Sequence, residues 1–382
     1  MSELTTGTNP KIITWARMRI GLSIPQLATR LKLHPDQIMS WESGDSSPSY
    51  TILEKLAYSI FHIPVAVFYF PEPPHIEDPI QKFRRLPEFE FERLSPETLH
   101  LVRLAGAFQE SLAELTLVPP VKKIFKDLTP NDVHVGELAA KARAYLGITV
   151  QEQFDFTSMQ TAFKAWRHAL EISGIYTFKD SIPDKFISGF CLLDENFPII
   201  FINNSNSFSR QIFTIIHELG HILFHVNGVT DINEHYLMHM SETEREIEIN
   251  CNAFAASVLV PNDIFEITVP RHQKYDELSV SAIADKFSVS REVIWRKLLD
   301  NKYIDYETFN EEVAKLRIEY LRPENQRKGG DYYSTNLAYL GEGFSKLAFY
   351  NYQAGKITKV QLAQHLNINS KNLDRLESYL FK

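Results

Sequence analysis

The stretch Phe213-Thr-Ile-Ile-His217-Glu218-Leu-Gly-His221-Ile-Leu-Phe-His225 constrains this chain more than any other. Ile212, Phe213, Ile215, Ile216, Leu219, Ile222, Leu223 and Phe224 make it apolar nearly all round, the pattern of a helix inside a core. Two histidines and a glutamate are costly to bury there without a compensating partner. Residues four apart on a helix share a face, so His217 and His221 offer two imidazoles to one metal ion. Glu218, about 100° further round, lies beside that ion, where a general base acting on water belongs. An amphipathic helix with two satisfied histidines would carry the same letters, but its flanks would not be apolar all round. Gly220 costs helix stability, roughly 1 kcal/mol against Ala, which calls for a closely packed neighbour.

A catalytic zinc takes three protein ligands and keeps a fourth position open. The pattern H-E-x-x-H-x-x-G-x-x-H fails here, because positions 224 and 227 are Phe and Asn. His225 stands two turns from His217, too far to share an ion with it across His221. A glutamate from a following helix is the other solution. In residues 241–260, Ile249, Phe254, Ala255, Val258 and Leu259 recur at helical spacing, so one side of this segment is expected to be buried. Glu248 sits at the margin of that side, whereas Glu242, Glu244 and Glu246 read as a solvated first turn that suits the helix dipole. Glu248 is the expected third ligand.

Gly189-Phe190, Pro198 to Asn203, Arg210-Gln211-Ile-Phe213-Thr214, His217-Glu218-Leu-Gly220-His221, Glu248-Ile-Asn-Cys-Asn252-Ala-Phe254-Ala-Ala256 and Leu259-Val-Pro261 follow in order. Together they resemble the ImmA/IrrE family of metallopeptidases over roughly residues 131 to 300. The resemblance implies a zincin-like protease fold, Zn2+ on His217, His221 and Glu248, and Glu218 as catalytic base. It also implies a protein substrate of the repressor or antitoxin kind, since family members cleave repressor-like partners in bacteria and their mobile elements.

The N-terminal seventy residues read as a compact helical unit. A first helix holds Ile12, Ile13, Ala16 and Met18, Ser23 caps a second over Ile24 to Leu31, and Pro35 opens a third that runs to Trp41. Leu53 to Phe61 follows. Gln26-Leu27-Ala28, Ile38, Ser40-Trp41-Glu42-Ser43-Gly44, Pro48-Ser49 and Leu53-x-x-Leu56-Ala57 resemble the XRE/Cro–C1 helix-turn-helix family. That resemblance makes Arg17, Arg19, Gln26, Gln37 and Ser40 candidate DNA contacts, with Arg30 and Lys32 as further phosphate-holding cations. Six bases meet five acids in residues 1–70, and the second helix of the pair offers no Arg or Lys to base edges. Docking of a partner protein is therefore the rival role for this module, and Cro-like modules often pair, which allows a homodimer.

The chain's net charge of −8 confines any DNA contact to a local patch. Two cysteines, Cys191 and Cys251, build no disulfide framework and suit a reducing cytosol. No signal-like N-terminus or membrane-length apolar run occurs, so a cytoplasmic protein with no membrane partner is expected. The expected class is mainly α (α+β). Its parts are a helix-turn-helix domain over 1–74, a Pro-rich linker and connecting helix over 75–130, a zinc metallopeptidase domain over 131–270 and a helical region over 271–382. Within the linker, Lys82-Phe-Arg84-Arg85 reads as a solvated basic turn.

In the third part, helices are expected over Asp132 to Leu146, capped by Asn131, and over Thr161 to Ile172. Strands over Lys185 to Leu193 and Pro198 to Asn203 flank a turn at Asp194-Glu195-Asn196, and one of them is the expected edge for an added substrate strand. Residues 231–241 read as a mobile loop over the site. His225, His235, Tyr236, His239 and Arg245 are candidate donors to a developing oxyanion, and Asn252 a candidate partner for Glu248. Leu278 to Leu299 has helix-turn-helix spacing with Ser290 as a cap, and Gln361-Leu-Ala363-x-x-Leu366-x-Ile368 resembles another small helical motif. The favoured function is a zinc-dependent endopeptidase acting on a regulatory protein. The alternatives are a helix-turn-helix transcriptional regulator whose zinc domain senses without cleaving, and a module that works by binding alone.

Overall fold

The structure is a computed structural model that describes residues 7–20, 22–61, 63–74, 94–116, 123–128, 130, 134–225, 229–231, 241–271, 274–320 and 331–382. Asn131, His235, Tyr236, His239, most of the 231–241 loop and the basic cluster at 82–85 lie outside them. The chain forms two compact units, one of residues 1–84 and 88–104, the other of 85–87 and 105–382. It is mainly α, with one small sheet.

In the first unit, helices α1 (Pro10–Arg19), α2 (Ile24–Leu31), α3 (Pro35–Ser43) and α4 (Tyr50–Glu54) surround a core of Ile12, Ile13, Leu27, Ile38, Trp41, Leu53 and Leu56. Each begins where a side chain satisfies an orphan backbone donor. Asn9 accepts from Lys11 N, Ser49 from Ile52 N, and Ser23 forms a reciprocal capping box with Gln26. Lys32, at φ +58°, ends α2 in the left-handed conformation and turns the chain into α3. A π-helical turn over Lys55–Phe61 continues α4.

Helix α5 is Pro96–Leu115. The second unit continues through α6 (Ile124–Asp127), α7 (Val135–Leu146), α8 (Val150–Phe154) and α9 (Met159–Ile172), then strands β1 (Tyr176–Asp180), β2 (Ile187–Leu192) and β3 (Ile199–Asn203). Helix α10 (Phe208–Leu223), strand β4 (Val229–Asp231) and helix α11 (Glu242–Leu259) come next. The sheet order is β1-β3-β2-β4, parallel between β1 and β3 and antiparallel elsewhere. Strands β2 and β3 form the expected hairpin, in which Asp194 Oδ1 accepts from the N–H groups of Asn196 and Phe197. Phe190 and Phe201, cross-strand partners, stack at 5.1 Å. The expectation that one of these two strands forms an edge is corrected: both are interior, between β1 and β4. The spacing showed the hairpin but not the strands that pair outside it.

Helices α7, α9, α10 and α11 share one core with α12 (Asn262–Thr268), α13 (Glu277–Phe287), α14 (Arg291–Asp300) and α15 (Tyr306–Tyr320). Gly189 of β2 brings the sheet against α10, since a Cβ there would stand 2.7 Å from Thr214 Cγ2. The chain closes with α16 (Tyr332–Leu340), α17 (Glu342–Gln353), α18 (Lys359–His365) and α19 (Leu373–Leu380). Buried Arg167 ties α9 to this last group, donating to the carbonyls of Ala338, Tyr339 and Thr177.

Candidate metal centre

Ser207 starts α10 by accepting from Arg210 N, and the helix then runs without a polar face until Phe224. Every residue from Thr214 to Leu223 is buried. Gly220 has the close neighbour its helix cost demanded. A Cβ there would stand 3.2 Å from Cys251 Sγ and 3.3 Å from Phe254 Cδ1, so its absence lets α11 approach α10.

That approach carries Glu248 to the histidines. His217 Nε2 and His221 Nε2 are 3.0 Å apart, and Glu248 places Oε2 3.3 Å from the first and Oε1 3.0 Å from the second. These residues are 1%, 2% and 4% exposed, and Glu218 beside them is 0% exposed. Zinc–ligand bonds of about 2.0–2.1 Å in a tetrahedral arrangement put ligand atoms roughly 3.3 Å apart. The trio therefore fits a metal ion, and it is the only such group of three His, Cys, Asp or Glu among the described residues. The Nδ1 atoms of both histidines make no hydrogen bond among these residues.

The electrostatics are those of a cation site. Burial would raise the Glu248 carboxyl, but His221 and His217 outweigh it and hold the group well below the usual range. Burial would lower His221, yet Cys251 and Glu248 raise it well above its ordinary value.

Residues 170–299 match the family model Peptidase_M78, the IrrE N-terminal-like domain. No curated protein matches the chain. The matched span holds the sheet, both site helices and the pair α13–α14, about a third of the sequence, and supports a metallopeptidase of the ImmA/IrrE type there. Such a family implies a metal, typically zinc, and the His217–His221–Glu248 group is suited to hold it.

Glu248 meets the histidines, but the stripe that carries it differs from the one expected. Ile249 is 53% exposed, because the inward face of α11 runs through Glu248, Cys251, Ala255 and Val258. Ser241 and Glu244 form a capping box and Glu242 and Glu246 are exposed, so the other acids do belong to a solvated start. Asn252 is half-buried and makes no hydrogen bond to Glu248. His225 is exposed and ends α10 at φ +56°. Arg245 is exposed as well. The residue overlooked in the sequence is Cys251, whose thiol lies against His221 and which burial pushes up in pKa. Its place three residues after Glu248, on the same helix face, was the available signal.

In the first unit, Arg17 is engaged internally. Its guanidinium forks onto Glu42 at 2.6 and 2.8 Å and donates to Leu22 O at 2.7 Å. Arg19 stacks over Trp15, Arg30 pairs with Glu97, and the Gln26 carbonyl is used in capping α2. Gln37 is exposed, and Ser40 shares a hydrogen bond with Ser46. Among the described residues, no helix is long and apolar enough to cross a membrane.

Proposed function

We propose that this protein is a zinc-dependent endopeptidase that cleaves a repressor- or antitoxin-like regulatory protein, its N-terminal helical module serving to target DNA or that partner. The observation that carries this is the convergence of two imidazole nitrogens and a carboxylate within 3.0–3.3 Å in a buried site, next to a buried glutamate. His217, His221 and Glu248 would hold the zinc. When bound, the ion supplies Lewis acidity and a water of lowered pKa. Glu218 takes the proton from the attacking water and delivers it to the departing amine as the peptide bond breaks. Glu218 is buried and follows His217 directly on α10, which supports its reading as the base.

The test is incubation of the zinc-loaded protein with purified helix-turn-helix repressors, read by intact mass. Site-specific cleavage by wild type and none by Glu218→Gln supports the reading. Full zinc occupancy with no cleavage of any repressor, or equal cleavage by Glu218→Gln, contradicts it.

A further inference from the structure

The C-terminal helices repeat the capping and apolar pattern of the N-terminal ones. Shifting the numbering by 335 lays Ser23-x-x-Gln26-Leu27-Ala28-x-x-Leu31-Lys32-Leu33 on Thr358-x-x-Gln361-Leu362-Ala363-x-x-Leu366-Asn367-Ile368. The backbone agrees. Ser23 with Gln26 and Thr358 with Gln361 both form capping boxes. Lys32 and Asn367 both turn through the left-handed region, at φ +58° and +52°. Leu33 N donates to Ala28 O at 2.9 Å and Ile368 N to Ala363 O at 3.0 Å. Ile38 and Trp41, the inward residues of α3, fall on buried Leu373 and Leu376 of α19. Glu42, which grips Arg17, falls on Glu377, which accepts from Gln353 Nε2 at 2.6 Å. Helices α17, α18 and α19 are thus a second copy of the α1–α2–α3 arrangement.

A third pair, α13–α14, has the same turn, with Ser288 at φ +53° and Val289 N bonded to Ala284 O at 3.0 Å. Its second helix is spent in the core, with Val293, Ile294, Trp295, Lys297 and Leu298 buried. Arg291 at its start is held by Glu277 and Glu319. Half of that helix is buried, and the cation at its start is already paired.

The three copies differ in what the second helix shows to solvent. Where α3 presents Asp36, Gln37 and Ser40, the C-terminal copy presents Lys371 and Asn372 from a 3-10 turn (Ser370–Asn372) that leads into α19, and Arg375 from α19 itself. Lys371 and Arg375 are exposed, and Asn372 is half-exposed. Arg375 is propped over the Tyr333 ring at 4.9 Å, and Asn372 donates to Tyr332 Oη at 3.3 Å. Of the acids nearby, Asp374 is paired with Lys359 at 2.6 Å and Glu377 is bound by Gln353. Residues 331–382 carry six bases and four acids, so this region is +2 in a chain of −8.

We infer that the C-terminal helical pair is a DNA-reading element, with α19 entering the major groove of duplex DNA. In that geometry the start of the second helix faces base edges while flanking cations meet phosphates. Arg375 suits the paired acceptors of guanine, Asn372 the donor–acceptor pair of adenine, and Lys371 a phosphate. The N-terminal copy, lacking cations at the equivalent positions, is the weaker reader of the two.

The test uses the full chain and a fluorescein-labelled pool of random duplexes roughly two helical turns long, titrated between about 50 and about 200 mM salt. Wild type binds with a steep salt dependence, and rounds of selection enrich a sequence. Lys371→Ala/Arg375→Ala lowers the logarithmic salt slope by about 1, near 0.9 for the one phosphate-facing cation removed, and loses the preference for the enriched sequence. Arg375→Lys keeps the charge and the slope but loses about tenfold or more on the enriched sequence, because a lysine cannot make the bidentate contact. Should the double variant fold poorly, as its melting curve would show, Arg375→Lys and Lys371→Gln alone decide the matter. No duplex binding by wild type, or binding that keeps its slope and preferred sequence in these variants, overturns the inference.

Discussion

In the first unit, Arg17 and Glu42 meet across α1 and α3, and every contact of that pair is answered by another protein group. In the second unit, His217, His221 and Glu248 meet across α10 and α11 with three ligand atoms turned on one point. Both are polar clusters between helices, the first partly buried and the second buried. The first is a closed ion pair that fixes the angle of its helices. The second gathers two imidazoles and a carboxylate into a group suited to a metal cation, and its histidines leave their outer nitrogens without hydrogen bonds among the described residues. A polar cluster that is complete without a ligand reads as structure, and one suited to a cation reads as a site.

The largest expected effect falls on the second cluster. On the proposed function, Glu218→Gln keeps the volume and leaves His217, His221 and Glu248 in place but removes the proposed base, and peptide hydrolysis should fall by about a hundred- to ten-thousandfold. Single-turnover assays at full zinc occupancy measure it, and an unchanged rate would show that Glu218 is not the base. Next comes Gly220→Val, which forces side-chain atoms into the contact with Cys251 and Phe254. It should destabilise by about 2–3 kcal/mol and also weaken zinc binding, because the helix that brings Glu248 is pushed away. Calorimetry with and without zinc separates the two effects.

Arg17→Met tests the other side of the contrast. Leaving Glu42 partly buried without its cation should cost about 2 kcal/mol in the first unit, with zinc content and hydrolysis unchanged. Loss of zinc in this variant would mean that the two clusters are not independent.

The smallest effect is a gain. Burial brings the Lys297 ammonium down to about 8, though Asn262 accepts from it at 2.7 Å. A lysine whose folded value lies below its unfolded value of about 10.4 destabilises the fold while charged. The penalty is fully present below pH 8, and stability rises with pH as it lifts between about 8 and about 10.4. Lys297→Met should therefore stabilise by about 1–2 kcal/mol at pH 7, and the difference from wild type should shrink across that window. Melting curves of both proteins from pH 7 to pH 10 test the sign.

Local chemistry made much of this legible in the sequence. The H-E-x-x-H spacing placed two histidines on one buried face, Gly220 announced a close neighbour, and Ser23 and Ser290 marked helix starts that the structure has. Glu248 was reachable because it was the acid nearest the apolar side of its helix, although Ile249 was assigned to that side and lies off it. What stayed hidden was non-local. Tyr176 to Asp180 becomes a strand by pairing in parallel with β3, a partner some twenty residues on, so β2 and β3 became interior rather than edges. The C-terminal motif was visible as apolar spacing, but its match to the N-terminal copy needed the turn at Asn367 and the exposed face of α19. The closed state of Arg17 was invisible too, since nothing in the spacing says which acid a cation will find.

The most direct test of the metal centre is zinc per chain in wild type, Glu218→Gln and Glu248→Ala, purified without added metal. One zinc in the first two and a clear loss in the third is the predicted result. Full zinc in Glu248→Ala would contradict the ligand set, and no zinc in any of the three, even after metal is supplied, would contradict the metal centre itself.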